Sequence, residues 1–289
     1  MINGFLGARL YTALAGLASF LMATPAMAEL GQSRPWQLGF QEGVTPIARQ
    51  IQTFHDFLMI LITVVTVFVL GLLIYVAIKF NAKSNPKPSR TTHNTTLEVL
   101  WTVVPIVILL VIAVPSFRLL FAQYDFPKAD VTVKAIGNQW YWTYEYPDQD
   151  NLTFDAVLVE EADLKPGQPR LLATDNDVVV PVNKNVHILV TATDVLHNWT
   201  IPAFGVKVDA VPGRLIRTWF RAEKTGTFYG QCSELCGARH AFMPITVRVV
   251  SDEEYASWLA QAKKKFATAP VEQKVVQGDS PEQVAQLKR

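Results

Sequence analysis

The sequence predicts a membrane-anchored chain in which an N-terminal pair of transmembrane helices is followed by an all-β exported domain. Three observations carry this. Half of the 289 residues are hydrophobic and they crowd toward the N-terminus. Two long apolar runs, Phe57 to Ile78 without any charge and Leu97 to Phe117 with only Glu98, are each long enough to cross a hydrocarbon layer about 30 Å thick at about 1.5 Å per residue. Beyond Phe121 the runs give way to short alternating segments broken by Pro, Gly, Asn and Asp, the pattern of strands and turns.

Residues 1–28 carry one basic residue, Arg9, then the apolar stretch Leu10 to Met22 and the small-x-small triplet Ala26-Met27-Ala28. This reads as a cleavable secretory leader; an uncleaved anchor is the alternative, although the run is short for a bilayer span. Residues 29–56 form an exported segment. The hairpin occupies 57–120, with spans at about 57–78 and 97–117; Pro105 and Pro115 in the second are tolerable where neighbouring groups satisfy the freed backbone. The connecting loop, 79–96, carries Lys79, Lys83, Lys87 and Arg90 and no acid, so it is expected to face the cytoplasm, with both termini and the β domain outside.

The exported domain, 121–251, has strand candidates at Val131 to Ile136, Val178 to Val182, Val186 to Thr191, Arg217 to Arg221, Gly226 to Tyr229 and Ile245 to Val250, spaced as in an antiparallel sandwich or barrel. The aromatic run Trp140-Tyr-Trp142-Thr-Tyr144-Glu-Tyr146 reads as a further strand, with Trp140, Trp142 and Tyr144 on one face. Within 252–289, Asp252 to Phe266 is an amphipathic helix with Trp258 and Leu259 inward, and the polar remainder from Ala267 is expected to be a disordered tail. Charge is uneven: residues 125–194 hold 12 acids against 5 bases, residues 195–250 hold 3 against 7. That is either ordinary solvated surface or an acidic face steering a basic partner. No basic stripe suggests nucleic acid.

The residues richest in chemistry lie in Cys232-Ser-Glu234-Leu-Cys236-Gly-Ala-Arg-His240-Ala-Phe-Met243, which places two thiols, an imidazole and a thioether in one loop. These are soft and borderline donors, suited to copper and poorly suited to magnesium or calcium. His197 supplies a second imidazole from far upstream. One cysteine would satisfy a mononuclear blue-copper site; two can bridge a pair of ions, each capped by one imidazole. A disulfide would explain the cysteine pair in an exported domain but not His240 and Met243. Zinc accepts Cys and His, but methionine is a rare zinc ligand.

His197 followed by CxxxCxxxHxxM resembles the binuclear copper A centre of cytochrome c oxidase subunit II, and Gly137-Asn-Gln-Trp140, Asp209-Ala-Val-Pro-Gly-Arg214 and Tyr229-Gly-Gln-Cys232 resemble further signatures of that family. The likeness runs from about Phe57 to Val250. It implies a cupredoxin-like Greek-key barrel. It also implies a pair of copper ions held by His197, Cys232, Cys236, His240, Met243 and the Glu234 carbonyl, with the Glu234 carboxylate serving a magnesium ion shared with subunit I. By the same resemblance Trp140 is an exposed electron-entry point, Glu145, Asp175 and Asp194 are docking acids for cytochrome c, and Glu98 lies at the mouth of a proton path in the neighbouring subunit. The implied partners are the haem-carrying subunit I and subunit III, so electrons would pass through this chain while oxygen is reduced elsewhere. Asn138 stands where many members have histidine. A quinol oxidase subunit would lack the copper ligands, a copper-delivery protein would not need the aromatic stretch, and a disulfide-held sandwich would make the His and Met ligands a coincidence.

Overall fold

The architecture is a long helical hairpin joined to a β sandwich, in a computed structural model that describes residues 31–266. The leader expected at 1–28 and the tail expected from Ala267 lie outside the described residues. Helix α1 spans Pro46–Lys79 and helix α2 spans Thr95–Tyr124. Both overrun their apolar cores, α1 by 11 residues at its start (Pro46 against Phe57), because a cap and not hydropathy sets where a helix begins. Thr45 is that cap: its hydroxyl accepts the Ala48 amide at 3.0 Å and donates to the Phe204 carbonyl at 2.7 Å, and Pro46 at the first position needs no donor. At the start of α2, Asn94 Oδ1 accepts the Leu97 amide while Glu98 Oε1 accepts the Asn94 amide, a reciprocal cap. Helix α2 has no buried residue, so its apolar surface is left for lipid or partner chains.

The start of α1 is pinned to the β domain. Val44 donates its amide to Ala203 and accepts from Glu223, Val44 and Thr45 are fully buried, and Arg49 pairs with Glu223 at 2.6 Å. This fixes the domain against the membrane end of the hairpin.

Ten strands follow: β1 Val131–Asn138, β2 Tyr141–Tyr146, β3 Leu152–Ala156, β4 Val178–Pro181, β5 Val186–Ala192, β6 His197–Ile201, β7 Val206–Ala210, β8 Ile216–Phe220, β9 Gly226–Gln231 and β10 Pro244–Val250, then helix α3 Asp252–Phe266. They form a five-stranded sheet β3-β2-β1-β5-β8, a three-stranded sheet β4-β10-β9 and a β6-β7 ribbon. The pairing is mixed and not purely antiparallel as the spacing suggests: β1 runs parallel to β5, and β10 parallel to β4. Each parallel pair is made by strands far apart in sequence, which is how crossovers close a cupredoxin-like sandwich.

The core fills the space between the sheets. Trp142, Tyr144 and Tyr146 alternate inward along β2 and meet Val178, Val180, Phe228, Ile245 and Val247 of the opposite sheet. Two of these aromatics also tie the sheets by hydrogen bonds: Tyr146 Oη donates to the Val179 carbonyl at 3.0 Å and accepts its amide at 2.9 Å, and Trp199 Nε1 donates to Tyr144 Oη at 3.3 Å. Helix α3 covers one end, with Trp258 against Tyr146, Phe266 against Phe154 and Leu259 partly buried, in the predicted orientation.

Candidate metal centre

The loop after β9 returns to β10 through residues 232–243, and β6 lies beside it, so the distant His197 arrives as the first residue of a strand already anchored in the core. One backbone bond closes the loop and another ties it to β6: the Cys232 amide donates to the Met243 carbonyl at 3.0 Å, and the Ser233 amide to the Asn198 carbonyl at 3.2 Å. His197, Cys232, Cys236 and Met243 are buried, whereas His240 is only partly covered and the Glu234 side chain is exposed.

The four donors form a chain. His197 Nδ1 lies 3.9 Å from Cys232 Sγ, the two sulfurs are 3.8 Å apart, and Cys236 Sγ is 3.6 Å from His240 Nδ1. Each thiol therefore has its own imidazole. The sulfurs are far from the roughly 2.05 Å of a disulfide, and both cysteines are free. Twice an ordinary metal–thiolate bond of about 2.3 Å exceeds their separation, so both sulfurs can reach the same ions. The ligand atoms of His197, Cys232 and Cys236 all fall within 4.8 Å of one another. The Glu234 carbonyl oxygen is 3.3 Å from Cys232 Sγ, inside the same cluster. Two thiols, two imidazoles and a buried thioether are a donor set that fits a copper pair.

Electrostatics favour deprotonation of one thiol. Burial pushes the Cys232 thiol up, but His197 and the neighbouring backbone outweigh it and bring it down to about 7. Burial and the charge of Cys232 push Cys236 up to about 12. Burial opposes charge on His197 too, yet Cys232 and Asp194 together raise its pKa. Metal uptake must displace these protons.

Around the donors lies a clamp that the sequence did not reveal. Asp194, expected as a docking acid, accepts His197 Nε2–H at 2.8 Å, which leaves Nδ1 facing the sulfurs; its other oxygen accepts the Gln139 amide at 2.7 Å. Gln139 was not singled out by the sequence, and a glutamine gives no signal of a partner 97 residues away. Its Nε2 donates to the Cys236 carbonyl at 2.7 Å, and Trp140 Nε1 donates to the same oxygen at 3.2 Å. Trp140 precedes β2 and does not share the inward face of Trp142 and Tyr144, because the Gln139-Trp140 turn carries it over the metal loop. Gly237, with φ +118°, gives that indole room: a Cβ there would meet Trp140 at 3.1 Å. Asn138 bonds Thr143 and accepts Thr193, beside the clamp and away from the sulfurs.

The other predicted residues lie apart. Glu145 pairs with Lys134 at 2.9 Å across β1 and β2, Asp175 accepts the Val157 amide at 2.7 Å, and Glu98 caps α2 at the opposite end of the hairpin.

Residues 131–250 match the family described as cytochrome c oxidase subunit II, periplasmic domain, and residues 33–119 the family described as its transmembrane domain. A protein named probable cytochrome c oxidase subunit 2 from Rickettsia bellii is 51% identical over 81% of this chain and 87% of its own length. A cytochrome c oxidase subunit 2 from Cereibacter sphaeroides is 48% identical over 86% and 89%. Among solved structures, the periplasmic domain of subunit II of cytochrome oxidase from Bradyrhizobium japonicum is 60% identical over 48% of this chain and 98% of that one, with a TM-score of 0.46.

Proposed function

The chain belongs to the cytochrome c oxidase subunit II family, whose members are membrane-anchored subunits of an oxidoreductase complex, and from that premise we propose that it is the electron-entry subunit carrying a copper A centre. The observation that carries this is the row His197, Cys232, Cys236, His240, with the sulfurs 3.8 Å apart and an imidazole beside each. Cys232 and Cys236 would hold a copper pair, which when bound would supply a one-electron carrier. His197 and His240 would be its imidazole ligands and the Met243 thioether and the Glu234 carbonyl further donors, while Asp194 holds His197 in the tautomer that offers Nδ1. Buried His197, Cys232, Cys236 and Met243, together with the bonds that tie the loop to β6 and to Gln139 and Trp140, would keep these donors in place in either charge state and reorganisation small.

Cytochrome c docks near Trp140, whose indole is one hydrogen bond from the backbone of Cys236. The acid-rich segment 125–194, including Glu145, Asp175 and Asp194, steers a basic donor protein there. Electrons leave toward haem in subunit I, in an assembly that includes subunit III and couples oxygen reduction to proton pumping. Glu234 presents an exposed carboxylate with no partner among the described residues, which suits a magnesium ion shared with subunit I. Glu98 stands at the cytoplasmic mouth of a proton path, on the reading that the basic loop between the helices faces inward. The β domain then lies on the periplasmic face of the bacterial inner membrane.

The test is copper content and electron paramagnetic resonance on the full chain in detergent. Two coppers per chain, with hyperfine structure from one electron shared by both, support the reading. A single localised copper, or none after reconstitution under mild reductant, rejects it.

A further inference from the structure

At the β-domain end of the hairpin, α1 and α2 leave a cavity of about 490 Å³ between them, within the range typical of small-molecule sites. Its walls are apolar where Phe54, Phe57, Pro115 and Leu119 face it, and basic where Arg49 and Arg118 do; no carboxylate lines it. Glu223 pairs with Arg49 at 2.6 Å but also with Arg221 at 3.3 Å, so one acid already serves two guanidiniums. Arg118 is exposed and forms no ion pair among the described residues. The group is left with surplus positive charge beside an apolar surface.

Depth in the membrane decides what can answer that charge. Arg118 interrupts an apolar surface that continues through Leu119, Leu120 and Phe121 to Ala122, so it sits about one turn inside its end, from where a long side chain reaches the headgroup layer of about 5–7 Å. Arg49 lies eight residues ahead of Phe57, about 12 Å further out along α1, within reach of that layer through its long side chain. A guanidinium offers five N–H donors in a fork matched to phosphate, and Arg49 spends only part of its set on Glu223.

We infer that this cavity binds one anionic phospholipid from the leaflet on the β-domain side, with its phosphate between Arg49 and Arg118 and an acyl chain along Phe54, Phe57 and Leu119. A zwitterionic lipid answers the surplus charge less well, because its own ammonium offsets its phosphate. The lipid would brace the junction at which Thr45 and Arg49 fasten α1 to the β domain.

The full chain, stripped of lipid in detergent, is titrated with phosphatidylglycerol or phosphatidylcholine, and bound lipids are counted by native mass spectrometry. The expected result is one retained phosphatidylglycerol per chain in preference to phosphatidylcholine. Arg118→Gln should weaken it about fivefold, the loss of one basic contact to an anionic headgroup, while Arg118→Lys keeps most of the affinity. Thermal unfolding of the variants should match the native chain, since Arg118 is exposed and makes no ion pair among the described residues. Equal retention of the two lipids, or a phosphatidylglycerol affinity indifferent to Arg118→Gln, overturns the assignment. In native membranes a photoactivatable phosphatidylglycerol should label the segment 115–119. A neighbouring polypeptide filling the cavity and excluding the label would overturn it equally.

Discussion

Asp194 reaches from the surface to a fully buried ring, His197, and accepts its Nε2–H at 2.8 Å. Because the same carboxylate accepts the Gln139 amide at 2.7 Å, one acid orients a proposed metal ligand and holds the turn that carries Trp140 over Cys236. The Trp140 turn and the cysteine loop are thus one bonded unit, which would join the proposed electron-entry surface to the proposed metal centre.

The pair has a pH signature in the metal-free chain. Burial works against the Asp194 charge, but bonds from His197, Val195 and Gln139 prevail and lower its pKa below the ordinary 3.8, so its contribution is present above that value and lost as pH falls through the lowered one. The pKa of His197 is raised above 6.5, so its contribution is complete below 6.5 and lost as pH rises through the raised value. Wild type should therefore exceed Asp194→Asn in stability most between about pH 4 and 6.5, by about 1–2 kcal/mol for a charge-assisted bond at a partly exposed group. Chemical denaturation of both proteins across pH 3 to 9 would show the gap narrowing at each end; a gap flat with pH rejects the linkage.

Much of this site was legible and some of it was not, for reasons that lie in particular residues. The CxxxCxxxHxxM loop is local, so its donors can be read as a set, and His197 joins them through its chemical type. The clamp is non-local: Gln139, Asp194 and the Cys236 carbonyl meet only after β1, β6 and the metal loop have packed. Period-two reading placed Trp140 with Trp142 because nothing in the composition marks the turn at Gln139. Thr45-Pro46 did carry a capping signal for the start of α1, but the apolar run beginning at Phe57 is louder. The short strands β3, β6 and β7 escaped notice, each only five residues long, and β6 is buried at all but Thr200 and so lacks alternation. The parallel pairings belong to topology, which single-segment patterns do not encode.

The two thiols should titrate as a split pair. With Cys232 near 7 and Cys236 near 12, the reduced metal-free chain should gain one thiolate around neutrality and the second only in strong alkali. Thiolate ultraviolet absorbance against pH reads this directly. In Cys232→Ser the Cys236 step should move down, since the charge of its neighbour is gone. Two equal steps near the ordinary thiol value would contradict the coupling.

Stability and metal chemistry should separate at Tyr146. Its hydroxyl satisfies both the amide and the carbonyl of Val179 in a fully buried place, so Tyr146→Phe orphans two backbone groups. At about 1–3 kcal/mol for each of the two groups, the loss should be about 2–6 kcal/mol. The paramagnetic spectrum of the copper-loaded variant should be unchanged, because β2 and β4 carry no donor. A lowered midpoint with a native spectrum is the expected outcome of paired thermal and spectroscopic measurements; an altered spectrum would mean that the sandwich core transmits strain to the loop.

Gly137 should behave in the opposite way. It lies on β1 under the His197 ring, and a Cβ there would sit 2.8 Å from the ring's Cδ2 and 2.9 Å from its Cγ, closer than carbon atoms approach. Gly137→Ala must therefore tilt or displace the imidazole, at about 1–3 kcal/mol for overpacking. The ring cannot retreat freely, because Asp194 holds its Nε2 and Trp142 packs edge-on with centroids 6.0 Å away. The prediction is a modest fall in unfolding midpoint together with weakened copper retention against a chelator and a more localised spin. Unchanged copper retention in a folded Gly137→Ala chain would show that the ring has slack, and that its position is set by the metal and not by the clamp.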